Sequence, residues 1–187
     1  PNNQRAKYVP DGWCSAMQPR WILAVAIVLA FALSDVQSRV EWIKYEQNPV
    51  LTQGPNGTWE AGEIVAVSPV KEGEVYRIWY SADNGSRVSG IGLATSLDRV
   101  HWTKNPSNPI LSNGPEAFDS SYLFAPCVLR DAQGYKMWYT GSGPGSVWTI
   151  CLATSVDGTS WTKYPANPVL TPGPDWYDLR HAGDPWV

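Results

Sequence analysis

The stretch GLATSLDRVHWTKNPSNPIL, from Gly92 to Leu111, returns almost letter for letter as CLATSVDGTSWTKYPANPVL, from Cys151 to Leu170. A fainter copy, VEWIKYEQNPVL, covers Val40 to Leu51. Nothing else constrains the fold as tightly, because recurrence at a fixed period is how a chain builds scaffold from stacked units. The copies align on Trp42, Trp102 and Trp161, spaced 60 and 59 residues apart (102 − 42, 161 − 102). Asn48-Pro49, Asn108-Pro109 and Asn167-Pro168 follow at a constant offset. Gly54-Pro55, Gly114-Pro115 and Gly173-Pro174 come next, each trailed by an aromatic (Trp59, Phe118, Trp176). Registers that agree across two periods define a true repeat. What recurs is scaffold, and what breaks the recurrence is where function is sought.

Inside one period the pattern is β throughout. YLFAPCVLR (Tyr122 to Arg130) is a continuous apolar run, as expected of a buried strand. GYKMWYTG (Gly134 to Gly141) alternates after the turn-like DAQG, and WTICLATS (Trp148 to Ser155) follows a Gly-Ser-Pro loop. SWTKYP (Ser160 to Pro165) follows Asp157-Gly158, a strong hairpin signal, whose counterpart Asp98-Arg99 is a poorer choice for positive φ. No segment after Ser38 has a helical period. Four antiparallel strands per period of about 60 residues predict a propeller blade, with its first strand nearest the central axis. Cys127 and Cys151 fall on strands separated by another strand, about 9–10 Å apart and too far for a bridge, so two buried free thiols are expected.

The first residues read differently. Trp21 to Leu33 is apolar and uncharged, shorter than the roughly 20 residues of a membrane span, and preceded by Arg20. We read 1–16 as an upstream extension, 17–38 (from Met17) as a signal-peptide helix, and 39–187 as the propeller, with repeats at about 39–100, 101–159 and 160–187. A membrane anchor is the alternative. Export would place the mature domain outside the cytoplasm, with no stable membrane partner after signal removal.

Composition narrows the partners. A net charge of −3 and a hydrophobic fraction of 43% exclude disorder and argue against a nucleic-acid partner. Eleven Trp and nine Tyr against three Phe suit sugar-facing surfaces, although Trp also fills gaps between sheets. No Cys or His pair has metal-ligand spacing and no Gly-rich loop could cradle phosphate, so neither metal nor cofactor is expected.

GYKMWYTG, the IGLATSLD segment with its following Trp, and WTKYPANPVL followed by Gly-Pro resemble the five-bladed β-propeller glycosidases. That group includes arabinanases, xylosidases, invertase-like fructosidases and the related mannoside phosphorylases. The sialidase Asp-box is a near miss, since Asp157 and Gly158 in SVDGTSW are adjacent. The resemblance covers Arg39 to Val187 and implies an all-β fold, a partial β-propeller of about two and a half four-stranded blades. It also implies a carbohydrate substrate, a monomer when complete, and carboxylates near the starts of inner strands. Aligned on the Pro of each inner strand, Ser68-Pro69, Ala125-Pro126 and Asp184-Pro185 correspond, and only the third carries an acid.

Asp184 and Glu63 are therefore the candidate catalytic residues, since glycoside hydrolysis needs two carboxyl groups. Glu63 is read as having no counterpart in the other copies. Arg180, His181, Tyr122 and Trp186 are the candidate substrate-binding residues; a cation at Arg180 or His181 would also suit phosphorolysis. The recurring acids Glu60, Asp119 and Asp178 are read as structural, bonding backbone N–H groups between blades, and His101 as an outer-strand residue without a role. Function is read as that of a glycoside hydrolase acting at the axial mouth. The rivals are a carbohydrate-binding or structural propeller and a glycoside phosphorylase.

Overall fold

The computed structural model describes residues 41–86, 89–115, 118–175 and 179–187. The expected signal segment, Trp176 and Asp178 lie outside them. Among the described residues there is no α-helix, only a single 3₁₀ turn at Pro144–Ser146. Glu46–Val187 packs as one unit. It contains two antiparallel sheets of the same plan and is a partial β-propeller. In the first blade β1 (Glu63–Glu72), β2 (Val75–Asp83), β3 (Ser89–Ser96) and β4 (Thr103–Lys104) lie side by side, and β5 (Leu111–Ser112) adds to β3. In the second, β6 (Tyr122–Asp131), β7 (Gly134–Ser142), β8 (Trp148–Ser155) and β9 (Thr162–Lys163) repeat the order.

The repeat motifs are local bonding devices. Asp98 Oδ1 accepts the N–H groups of Val100 and His101, and Asp157 Oδ1 accepts those of Thr159 and Ser160. Such self-bonding fixes a tight turn without tertiary help. Arg99 (φ 68°) and Gly158 (φ 75°) supply the left-handed position, and the indole N–H of Trp102 or Trp161 donates to that residue's carbonyl. His101 belongs to this turn, not to an outer strand. It is exposed, with Nδ1 at 2.7 Å from Asp98 Oδ2. The Asn of the second and third Asn-Pro works as a brace, Asn108 bonding both N–H and C=O of Leu93 and Asn167 those of Leu152.

Of the recurring acids, Glu60 and Asp119 lie among the described residues, and their partners differ from those expected. Glu60 accepts the Tyr80 hydroxyl at 2.9 Å and pairs with Lys104 at 2.8 Å. Asp119 accepts the Tyr139 hydroxyl at 3.0 Å and pairs with Lys163 at 2.7 Å. These are bonds within a blade, from an outer-strand Lys to a middle-strand Tyr, and among the described residues no backbone N–H between blades joins them. The reason is burial. Asp119 is 0% exposed, and the Lys163 ammonium offsets the cost of burying a carboxylate there.

Between the blades sits the main core, with Trp79, Leu93, Leu123, Met137 and Tyr139 at its centre. The Trp79 indole donates across the junction to the Gly158 carbonyl at 2.9 Å. Cys127 on β6 and Cys151 on β8 are buried free thiols with β7 between them, as the spacing predicts. Burial pushes the Cys151 thiol up to about 11.

Cross-strand pairing corrects one expectation. Ser68 pairs with Trp79 and Cys127 with the equivalent Trp138, so Ser68 corresponds to Cys127; counting back two residues sets Ala66 against Ala125, although Ala66 pairs with Ser81 while Ala125 lies unpaired in the bulge of β6. Pro69 and Pro126 are not equivalent. Pro69 is regularly paired with Ile78, whereas Pro126 falls inside the bulge of β6, between Phe124 and Cys127; the bulge of β1 lies between Ile64 and Ala66.

Candidate functional site at the inner-strand starts

The corrected register brings three candidates into one series. Glu63, Tyr122 and His181 each precede the key position by the same spacing (66 − 63, 125 − 122, 184 − 181), so each opens an inner-strand segment. Glu63 thus has counterparts in position, though not in chemistry. The third segment, around 180–184, is docked on β8. Trp148 N–H donates to the Arg180 carbonyl at 2.8 Å, and Ala182 N–H to the Trp148 carbonyl at 3.1 Å.

A cleft of about 650 Å³ opens where these segments converge. Glu63, Asp83, Tyr122, Trp148 and Asp184 are on its wall. Glu63 and Asp83 are direct cross-strand partners, so two carboxylates share one side of the mouth. Asp83 Oδ1 accepts the Gly85 N–H at 2.6 Å, which ties it to its own turn. Asp184 has φ 52°, in the left-handed region, and donates its N–H to Thr140 Oγ1 at 2.8 Å. Ala125, in the preceding blade, has φ 50° and donates to Ser81 at 3.4 Å. The backbone device recurs, but the acid does not.

Aromatic surface completes the cleft. The Trp148 ring lies 4.4 Å from that of His181 and meets Phe124 edge-on at 5.0 Å. Tyr122 is 37% exposed, free to present its hydroxyl to a ligand. His181 approaches the cleft through Trp148. Arg180 and Trp186 do not line it, and Trp186 is 93% exposed. Asp83 and Trp148 were not singled out from the sequence. The signal for Trp148 was available, since it stands where the first blade has Ser89. Among the described residues no group of three or more His, Cys, Asp or Glu is placed to hold a metal ion.

An antiparallel blade stack with a carboxylate-lined, aromatic-walled cleft at its inner-strand starts defines a propeller of the glycosidase class. Residues 68–187 match the N-terminal domain of glycosyl hydrolases family 32, and the chain belongs to that family. It is 33% identical over 115 residues to an uncharacterized protein of Mycobacterium tuberculosis (58% of this chain, 37% of the relative). It is 31% identical over 107 residues to the vacuolar acid beta-fructofuranosidase 1 of a Rosa hybrid cultivar (53% of this chain, 18% of the relative). The chain thus spans well under half the length of either relative. A glycosyl hydrolase from Bacteroides ovatus shares the fold with a TM-score of 0.57 at 20% identity, over 66% of this chain and 40% of that one. Fructan 1-exohydrolase IIa from Cichorium intybus does so with a TM-score of 0.51 at 24% identity, over 70% and 25%.

Proposed function

We propose that the complete protein is an exported, monomeric five-bladed propeller that hydrolyses a glycosidic bond in oligo- or polysaccharides, with β-fructofuranosides as the first substrates to test. The observation that carries this reading is Asp184: an acid at a scaffold position held by Ala66 and Ala125 in the other blades, facing a cleft large enough for a short sugar chain. The family, the rose fructofuranosidase and the chicory fructan hydrolase support the choice of substrate class. The uncharged Trp21–Leu33 run behind Arg20 supports export.

Glu63 and Asp184 supply the two carboxyl groups that the reaction requires. One donates a proton to the departing glycosidic oxygen as its bond to the anomeric carbon breaks. The other attacks that carbon, or takes a proton from the water that does. The Trp148 face receives the apolar side of a sugar ring, and Tyr122 and Asp83 bond its hydroxyls. Assays of the full-length protein on sucrose, inulin, arabinan, xylan and mannosides test this reading. Turnover of a fructoside that Asp184→Asn abolishes is the expected result. Saturable sugar binding without turnover would instead establish a binding propeller, the rival that Ala66 and Ala125 favour. N-terminal sequencing of exported material should find a start between Asp35 and Arg39, and a start before Met17 would exclude the signal.

A further inference from the structure

Four N–H groups of inner-strand segments are received by side-chain hydroxyls of the preceding blade. Leu123 donates to Ser89 at 2.9 Å, Ala125 to Ser81 at 3.4 Å, Val128 to Ser68 at 2.8 Å and Asp184 to Thr140 at 2.8 Å. Each hydroxyl answers a backbone donor that faces the neighbouring blade and not a paired strand. Three of the donors belong to residues with no acid or base to offer. The fourth belongs to Asp184.

Asp184 is the residue that most needs holding. Its φ of 52° lies in the left-handed region, which Asp enters more readily than most non-glycine residues, but a following proline such as Pro185 disfavours compact backbone there, so the conformation gains from an outside tie. Thr140 is suited to supply it. It is 0% exposed, and its branched side chain is stiff about χ1, so the acceptor oxygen has a fixed position. Gly183 lets the segment come close. A Cβ there would meet Thr140 Cγ2 at 3.2 Å and Trp148 Cε3 at 3.1 Å.

We propose that Thr140 is a positioning residue for the site, its Oγ1 fixing the backbone twist that sets the Asp184 carboxylate in the cleft. The consequence for rate rests on the reading of Asp184 as catalytic; the geometric claim does not. The test uses the full-length protein with Thr140→Val, Thr140→Ser and, as a control at a like bond outside the cleft, Ser68→Ala. Valine keeps the shape and loses the acceptor. Thr140→Val should lower kcat about 10- to 100-fold with KM nearly unchanged, the scale of a displaced catalytic group. Thr140→Ser should restore most of the rate, and Ser68→Ala should leave it intact. Independently of any substrate, amide hydrogen exchange at Asp184 should quicken in Thr140→Val and return towards wild type in Thr140→Ser. Should Thr140→Val fail to fold, Gly183→Ala lifts the segment off Thr140 and should give the same pair of effects. If no glycoside is turned over by wild type, the functional reading fails while the exchange measurement still decides the positioning. Unchanged exchange at Asp184 in the variant, or a loss of rate that Ser68→Ala shares, overturns the proposal.

Discussion

The junction between the first and second blades and the one between the second blade and the segment at 180–187 are built on the same positions with different residues. The first uses Ser68, Ser81 and Ser89, all hydroxyls that accept inner-strand amides. At the matching positions the second has Cys127, Thr140 and Trp148, and among the described contacts only Thr140 accepts such an amide. Where Ser89 ties down Leu123, Trp148 carries an aromatic face into the cleft and meets the His181 ring at a tilt of 42°. Where Ser81 holds Ala125, Thr140 holds Asp184. Both junctions border the cleft, but only the second brings an aromatic platform and Asp184 to it.

The sharpest way to break this comparison is at the position the two junctions share. Asp184→Asn should lower kcat of the full-length protein by about 10²–10⁴ with little change in Tm, because size is kept and charge is lost. Ala125→Gly, which relieves the same positive φ, should leave turnover untouched. A fall in Tm at Asp184→Asn with turnover intact would make Asp184 part of the scaffold too.

Next in size are the buried ion pairs. Lys163→Met strands the Asp119 carboxylate, which is 0% exposed, and should cost about 3–5 kcal/mol by chemical denaturation. Lys104→Met should cost less, since Glu60 retains 8% exposure and can be partly solvated. Equal losses would show that burial does not set the difference.

Trp148→Ser would make the second junction resemble the first. We expect KM to rise about tenfold, consistent with an aromatic contact of roughly 0.5–1.5 kcal/mol, while Ser89→Ala leaves KM alone. A KM unchanged in Trp148→Ser would remove the platform from the site.

The thiols should give the smallest signal. Burial raises Cys151 to about 11, so the neutral thiol is favoured in the folded state. The sign follows: this stabilisation is fully present below the unfolded value of about 8.5 and fades as pH rises from there towards 11. Thiol-reactive reagent at pH 8 should label neither Cys127 nor Cys151 until the protein is unfolded. Rapid labelling of the native protein would show that the core between the blades is open.

Much of the scaffold was legible because its interactions are local. The Asp98 and Asp157 turns and the left-handed Arg99 and Gly158 are encoded within a few residues of themselves, and the Asn108 and Asn167 braces reach 15 positions back within the same repeat. Asp184 could be found the same way, as an acid where a repeat demands none. Pro69 and Pro126 look equivalent in sequence, but Pro69 is paired with Ile78 while Pro126 lies in a bulge two strand positions earlier. Trp148 was passed over because a Trp among eleven draws no notice until its neighbour in space is known.

The amino-acid sequence by itself determined the repeat, the β character of each period, the free thiols and the one acid that departs from the pattern. Those depend on periodicity and on bonds between near neighbours. Only the tertiary structure decided that Glu63, Tyr122 and His181 open successive inner-strand segments, that Tyr80 and Tyr139 bond the recurring acids, and that Thr140 receives Asp184. Each of those contacts joins residues about 20 to 60 positions apart, and their register turns on a one-residue bulge whose location the chain does not announce.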